Sequence, residues 1–240
     1  MTEHRSMANF LESLEESVPL PSSGADPAGC LGPTDIIDSR HPAILETAGR
    51  LTYGLDSPFE RAEAVFSFTR DAARYNFTPD LLSRRDWQAS ATLARGEGFC
   101  QQKAVLLAAL ARAAGIPSAI GLQHLRDHKL LDSRYEIALP DGLIPYHGLT
   151  YLWLDGAWRI ADATLDAELC TRRRYRLVEL MAGADARLPA ADLDGKPHFD
   201  ILTEWGPFPD LPESVSAYMV SLRPAWLALR EVVRRTGATM

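Results

Sequence analysis

Three residues of the sequence have the types and settings for thiol chemistry: Cys100, His147 and Asp162. Cys100 ends the short run Gly96-Glu97-Gly98-Phe99-Cys100, and an almost wholly apolar stretch follows it to Ala114. On a helix, residues 104–114 put apolar side chains on every face, which marks a helix buried in the middle of its domain. Its first turn differs, because Cys100, Gln101, Gln102 and Lys103 are polar or reactive. Unpaired N–H groups and the helix dipole favour an anion at such a start, and a thiol there is more readily a thiolate. The glycines at 96 and 98 let the preceding backbone turn sharply. A single cysteine is also commonly a small buried apolar residue, so position alone leaves both readings open.

The stretch from Tyr146 to Asp166 decides between them. Asp155-Gly156 is a favoured two-residue hairpin turn. With that turn, Trp153 faces Trp158, Tyr151 faces Ile160, Leu149 faces Asp162 and His147 faces Thr164. Side chains alternate along strands. His147 and Asp162 therefore share one face as diagonal neighbours, roughly 7–8 Å apart at the backbone. The same face carries Tyr151, Trp153, Trp158 and Ile160, and the helix after Cys100 is expected to cover it. A carboxylate that fixes an imidazole, and an imidazole that takes a thiol proton, make the thiolate a nucleophile for an acyl carbon.

These two stretches, "GEGFCQQKAVLLAALARAAGIPSAI" and "HGLTYLWLDGAWRIADAT", resemble the cysteine motif and the histidine–strand–aspartate motif of the transglutaminase-like superfamily of papain-type thiol enzymes. The 15-residue interval between His147 and Asp162 is similar to that of bacterial members. "FSFTRDAARYNF" resembles the helix and tyrosine before the cysteine motif. The resemblance covers about residues 57–166. It implies that Cys100 is the nucleophile, His147 the general base and Asp162 its orienting partner. Papain-type enzymes place an oxyanion-hole glutamine six residues before the cysteine, where this chain has Ala94. The Cys100 backbone N–H then serves as one donor, and Trp87 or Gln88 is the candidate second. The resemblance implies no cofactor, and no EF-hand-like acidic loop marks a calcium site.

The elements that must position these residues follow from local signals. A short amphipathic helix is expected at 7–17 and another at about 41–53. Ser57-Pro58-Phe59-Glu60 carries an N-cap, a proline at the first helical position and a capping-box glutamate. Gly115-Ile116-Pro117 stops the helix after Cys100. Strands are expected at 118–125, 148–154 and 157–162, and a helix pair at about 213–222 and 224–235, broken at Pro224. Helices first and an antiparallel sheet second give an α+β fold. The reading is one domain over 1–240, with an N-terminal arm at 1–35, a catalytic core at 57–166 and a C-terminal extension at 167–240.

Other stretches carry weaker signals. His124 and His128 lie four apart in "HLRDH", without the cysteines or glutamate of a metal motif, and read as a surface loop. "RRRYR" at 172–176 reads as a solvated basic patch, with phosphate binding as the alternative. Trp205 and Phe208 in "EWGPFPDLP" are expected in a proline-rich loop, either walling a substrate cleft or packing on the core. Cys30 and Cys170 have no partner motif.

Composition sets the frame. The 240 residues are 46% hydrophobic and 24% charged, with a net charge of −7. That balance argues against nonspecific nucleic-acid binding. No run approaches the roughly 18 apolar residues of a membrane span. The acid-rich N-terminus lacks a signal-peptide pattern, and the cytoplasm is the expected compartment. The substrate is then expected to be a small-molecule or carrier-protein-bound acyl thioester, with an acyl or peptidyl carrier protein as partner. The leading reading is release of a polyketide or peptide thioester by Dieckmann-type cyclisation to a tetramate or pyridone. The alternatives are a peptidase, amidase or amide-forming transferase with the same residues, and a binding domain without activity.

Overall fold

A computed structural model of the chain describes residues 7–78, 83–131, 135 and 139–236. The first half is helical. Helix α1 is Met7–Ser17, and after a 3-10 turn at Pro27–Cys30 come α2 (Pro42–Leu51) and α3 (Pro58–Ala72). The capping box at Ser57 forms as its residue types require. The Ser57 hydroxyl accepts from the Phe59 and Glu60 amides, and the Glu60 carboxylate accepts from the Ser57 amide at 3.2 Å.

The chain then makes the two-residue strand β1 (Arg74–Tyr75), a 3-10 turn at Arg84–Trp87, helix α4 (Ala89–Arg95) and strand β2 (Glu97–Gly98). Helix α5 (Cys100–Ala113) follows at once. Its residues from Cys100 to Arg112 are all buried. Such a helix needs partners for its polar side chains inside the protein. Lys103 Nζ donates to the carbonyls of Arg70 (2.8 Å) and Ala73 (2.6 Å), at the end of α3. Burial lowers its ammonium to about 8, against the pull of Asp166, Asp71 and Asp162. Gln102 donates to Asp86 O at 2.7 Å. Arg112 donates to the carbonyls of Gly32, Ser118 and Pro209.

The second half supplies the sheet: β3 (Ser118–Asp127), β4 (Leu143–Leu154), β5 (Ala157–Ala161) and, after α6 (Ala167–Arg173), β6 (Phe199–Phe208). The antiparallel order is β5-β4-β3-β6. Helices α7 (Glu213–Ser221) and α8 (Arg223–Thr236) close the described chain. The fold is thus α+β, and the last two helices part beside Pro224 as expected, with the proline in the first turn of α8, where it costs no hydrogen bond.

The hairpin register is the expected one, with Tyr151 opposite Ile160 and Trp153 opposite Trp158. The covered face is the other one. Helix α5 packs on Gly148, Thr150, Leu152 and Leu154, and the Thr150 hydroxyl donates to Ala104 O at 2.9 Å. Leu149, Tyr151 and Ile160 instead form a small second core with Ala119 and Cys30, flanked by Ala25 and Trp158. The segment read as a surface arm supplies that cover. Two more expectations are corrected. The "HLRDH" histidines lie on or at the end of β3, and His124 is fully buried, because β3 is an inner strand. Trp205 and Phe208 sit on β6, an edge strand, where a proline such as Pro207 is tolerated.

Replacing Lys103 with Met should strip two buried carbonyls of their donor. The expected loss is about 2 kcal/mol or more, read from the urea midpoint at constant slope.

Candidate active site

The approach to Cys100 is built by β1 and β2. The Arg74 amide donates to Gly96 O (2.9 Å) and the Asn76 amide to Gly98 O (3.0 Å), which ties the end of α3 to the cysteine loop. Between them the Tyr75 amide donates to Asp166 Oδ2 at 2.9 Å. Asp166 is also the N-cap of α6, accepting from the Leu169 amide at 2.8 Å. One aspartate beyond the end of β5 therefore fixes the strand that flanks the cysteine loop.

His147 comes from β4, one residue after a distortion. The β3–β4 register slips between Gln123 and Leu125, and Tyr146 takes a left-handed φ of 51°. A bulky residue holds that conformation only when its surroundings enforce it. Here both ends of its peptide are bound. The Tyr146 amide donates to His124 Nδ1 at 3.2 Å, and Gln101 Nε2 donates to Tyr146 O. Gln101, next to the thiol, thereby sets the residue next to the imidazole. Burial lowers His124 to about 4, so it stays neutral and keeps Nδ1 as an acceptor.

Gly148 permits the approach of helix to strand. A Cβ at that position would lie 2.6 Å from Gln101 Cα and 2.9 Å from its amide nitrogen. These are backbone atoms that cannot swing aside. Glycine is thus required for the start of α5 to touch β4 beside His147.

The structure brings Cys100, His147 and Asp162 together in a buried cluster. His147 Nε2 lies 2.7 Å from Asp162 Oδ2, with both side chains almost wholly buried. Nδ1 is then the ring nitrogen left for the thiol. The other Asp162 oxygen accepts from the Thr164 amide at 3.1 Å. Asp162 is itself held beyond the β5 ladder, its amide donating to Ala186 O at 2.9 Å. Cys100 Sγ is 3.7 Å from Gln101 Oε1. Burial alone would lower the His147 pKa, but the charges of Asp162 and Cys100 outweigh it and raise it to about 10. The imidazolium is the favoured form beside those two groups. The arrangement can hold a thiolate against an imidazolium and return the proton to a leaving group.

A narrow apolar cleft opens on the thiol. Tyr75, Phe77 and Phe99 line it, together with Met219 of α7, Leu222 at the junction of α7 and α8, and Trp226 of α8. It has space for about one water molecule. The weaker site expectations fall elsewhere. Trp87 packs edge-on against Phe99, with ring centroids 5.5 Å apart, and is not among the cleft residues. Gln88 donates its amide to Asp35 O at 3.1 Å. Trp205 meets His124 edge-on and lies tilted against Tyr146, and Phe208 is buried opposite Ile120 at the end of β6. In the basic run at 172–176, Arg174 pairs with Asp194 at 2.6 Å, Arg172 with Glu168 at 3.6 Å, and Arg176 donates to Asp192 O. Residues missed in the sequence include Gln101 and the three cleft residues from α7 and α8. Only Gln101 had a signal, its place beside the cysteine.

Residues 46–163 match the family model of the transglutaminase-like superfamily. That segment, just under half of the 240 residues, is similar to the transglutaminase-like superfamily. Members of this superfamily are cysteine-type enzymes, and the match spans the segment from α2 to the end of the β4–β5 hairpin. Among solved structures, a candidate cysteine protease from Cytophaga hutchinsonii shares 18% identity over 80% of this chain and 55% of its own, with a TM-score of 0.46. The periplasmic domain of TgpA from Pseudomonas aeruginosa shares 19% identity over 62% of this chain and 51% of its own, with a TM-score of 0.41. A candidate protease from Parabacteroides distasonis shares 15% identity over 58% of this chain and 26% of its own, with a TM-score of 0.38. This transglutaminase-like chain thus spans about half or less of the length of these structures. No curated protein matches its sequence. Among the described residues no helix is long and apolar enough to cross a membrane.

Two outcomes follow. Gly148→Ala should cost about 1–3 kcal/mol of stability and slow alkylation of Cys100 by iodoacetamide, because the helix start must retreat from β4. In Asp162→Asn the anion that favours the cation is gone. The His147 imidazole should then titrate well below the wild-type value, read by NMR of the ring resonances between pH 5 and 10.

Proposed function

We propose that this protein is an acyl-transfer enzyme in which Cys100 is the nucleophile, His147 the acid–base and Asp162 the residue that orients and charges the imidazole. The observation that carries this reading is the 2.7 Å His147–Asp162 contact beside a cysteine at the start of a fully buried helix. The Cys100 thiolate attacks an acyl carbonyl, and the His147 imidazolium gives its proton to the departing thiol or amine. An acyl-thioenzyme results, with His147 neutral and ready to act as a base. The Cys100 amide, at the first turn of α5, is the first donor to the oxyanion.

The finer reading is that the acyl group arrives as a thioester on a carrier protein and leaves by Dieckmann-type cyclisation. His147 removes a proton from the activated carbon between two carbonyls of the bound chain. That carbon attacks the thioester carbonyl, a C–C bond forms, the C–S bond breaks, and the ring is released as a tetramate or pyridone. Cys100 regains its thiolate beside the protonated His147. Support comes from the cleft. Among the described residues its walls are mostly apolar, and it holds space for about one water molecule. An acyl-enzyme in such a place is sheltered from hydrolysis, which an intramolecular acceptor needs and a hydrolase does not.

Incubation with an N-acetoacetyl-aminoacyl thioester of a short thiol tests both levels. The expected products are the free thiol and the tetramate, with an acyl adduct on Cys100 in the mass spectrum. Release of the linear acid alone overturns cyclisation in favour of a hydrolase. Cys100→Ala should fall at least about 10⁴-fold in turnover while keeping its fold; full activity in that variant would refute the nucleophile assignment.

A further inference from the structure

A polar cavity of about 400 Å³ lies beside the apolar cleft. The segment from β1 onward divides the two, since Tyr75 and Phe77 line the cleft while Asn76 and Thr78 line the cavity. Helices α5 and α8 border both: Cys100 and Trp226 line the cleft, Gln102 and Arg230 the cavity. Its size falls within the range of small-molecule sites, about 300–1,000 Å³. Two guanidiniums stand in its lining, Arg95 from the end of α4 and Arg230 from α8. Among the described residues Arg95 makes no ion pair. It donates through Nη2 alone, to Asp86 O at 2.9 Å and to Thr92 Oγ1 at 3.1 Å, so Nε and Nη1 keep their donors. Arg230 donates to Thr78 O through Nη2. The carboxylate of the lining, Glu97, is already held by Asn76 Nδ2 at 3.0 Å and by Arg74 Nη2 at 3.7 Å. The cavity thus keeps an excess of positive charge, whereas the cleft over Cys100 is lined by no Asp, Glu, Lys or Arg among the described residues.

We propose that this cavity binds the phosphate-bearing arm of the thiol that delivers the acyl group, with Arg95 and Arg230 gripping the phosphate. The proposal rests on the acyl-transfer reading above. A phosphopantetheine arm joins a thioester at one end to a phosphate at the other. The apolar cleft suits the acyl chain but offers a phosphate no counter-ion, and the cavity beside it does. A guanidinium meets phosphate oxygens with paired N–H donors, which an ammonium cannot do. The chain as a whole carries a net charge of −7 and repels an anion at long range, so local cations decide where a phosphate docks. The dividing segment then sorts the substrate, acyl chain on the Cys100 side and arm on the Arg95 side. Once Cys100 is acylated, the arm departs as the free thiol with the proton given by His147, and its phosphate leaves the two arginines. Coenzyme A carries the same arm, so the chemistry read by the cavity is common to both donors.

The test uses the full chain and N-acetoacetyl-aminoacyl thioesters of pantetheine, phosphopantetheine and coenzyme A. Thiol release from the phosphopantetheine thioester should show a kcat/KM about 10-fold above that of the pantetheine thioester, carried by KM. Arg95→Gln should erase that advantage and leave the pantetheine thioester within twofold of wild type, and Arg230→Gln should do the same. Equal kcat/KM for the two arms in the wild type overturns the proposal. So does an equal fall on both arms in the variants, which would mean that the arginines only hold the fold. A coenzyme A thioester slower than the phosphopantetheine one supports a carrier protein as the source of the phosphate; one as fast or faster supports the same cavity with coenzyme A as the source. Binding is read apart from the chemistry by calorimetry with the S-methyl forms of pantetheine and phosphopantetheine. The phosphate form should bind the wild type about 10-fold more tightly, and Arg95→Gln should abolish the difference. No difference in the wild type overturns the site. A calorimetric preference with no thiol release from any thioester keeps the site and removes the acyl-transfer reading instead.

Discussion

Helix α5 has no side that faces water, and most of the architecture answers to that fact. A buried helix cannot leave its polar side chains to solvent, so each must meet a partner from another element. Lys103 holds the end of α3, Gln102 holds the turn before α4, Gln101 holds β4, and Arg112 gathers the start of β3 and two loops. These bonds fix the helix along its length and around its axis. The thiol at its first residue therefore has little freedom of its own, and the precision of the site comes from the rigidity of the rod.

The imidazole is fixed by a different device. A regular strand would not need a left-handed tyrosine, and the surroundings of Tyr146 compensate its strain with bonds at both ends of the peptide. One of those bonds comes from Gln101. Thiol and imidazole are thus set by a single side chain that need not touch the substrate, and Gly148 removes the Cβ that would hold them apart. Asp166 plays the corresponding part for the carboxylate end, binding the strand beside the cysteine loop to the segment that follows Asp162.

The legible part of this arrangement was the part written in local periodicity. The apolar run after Cys100, the capping box at Ser57 and the Asp155-Gly156 turn each state a backbone geometry outright, and the hairpin register placed His147 near Asp162 without any long-range knowledge. The covered face was misread because its test was apolar content. The large residues lie on the side closed by Ala25 and Cys30, while the side under α5 is chosen by a glycine and a threonine that allow close approach. Strand β6 was hidden by Gly206 and Pro207, which signal a loop unless the strand is known to be an edge. The walls from α7 and α8 had no signal, because an amphipathic helix does not announce which surface it will meet.

The source of those walls ties the reactive centre to the far end of the sequence. Thiol, imidazole and carboxylate are all encoded by residue 162, whereas Met219, Leu222 and Trp226 come much later. Met219 and Trp226 belong to the same core cluster as α5, and the Asp162 amide is bound to Ala186 O. A domain folds as a unit, so the nucleophile and its roof are acquired together, and a chain cut before α7 would lose part of its core as well as the cover over its thiol.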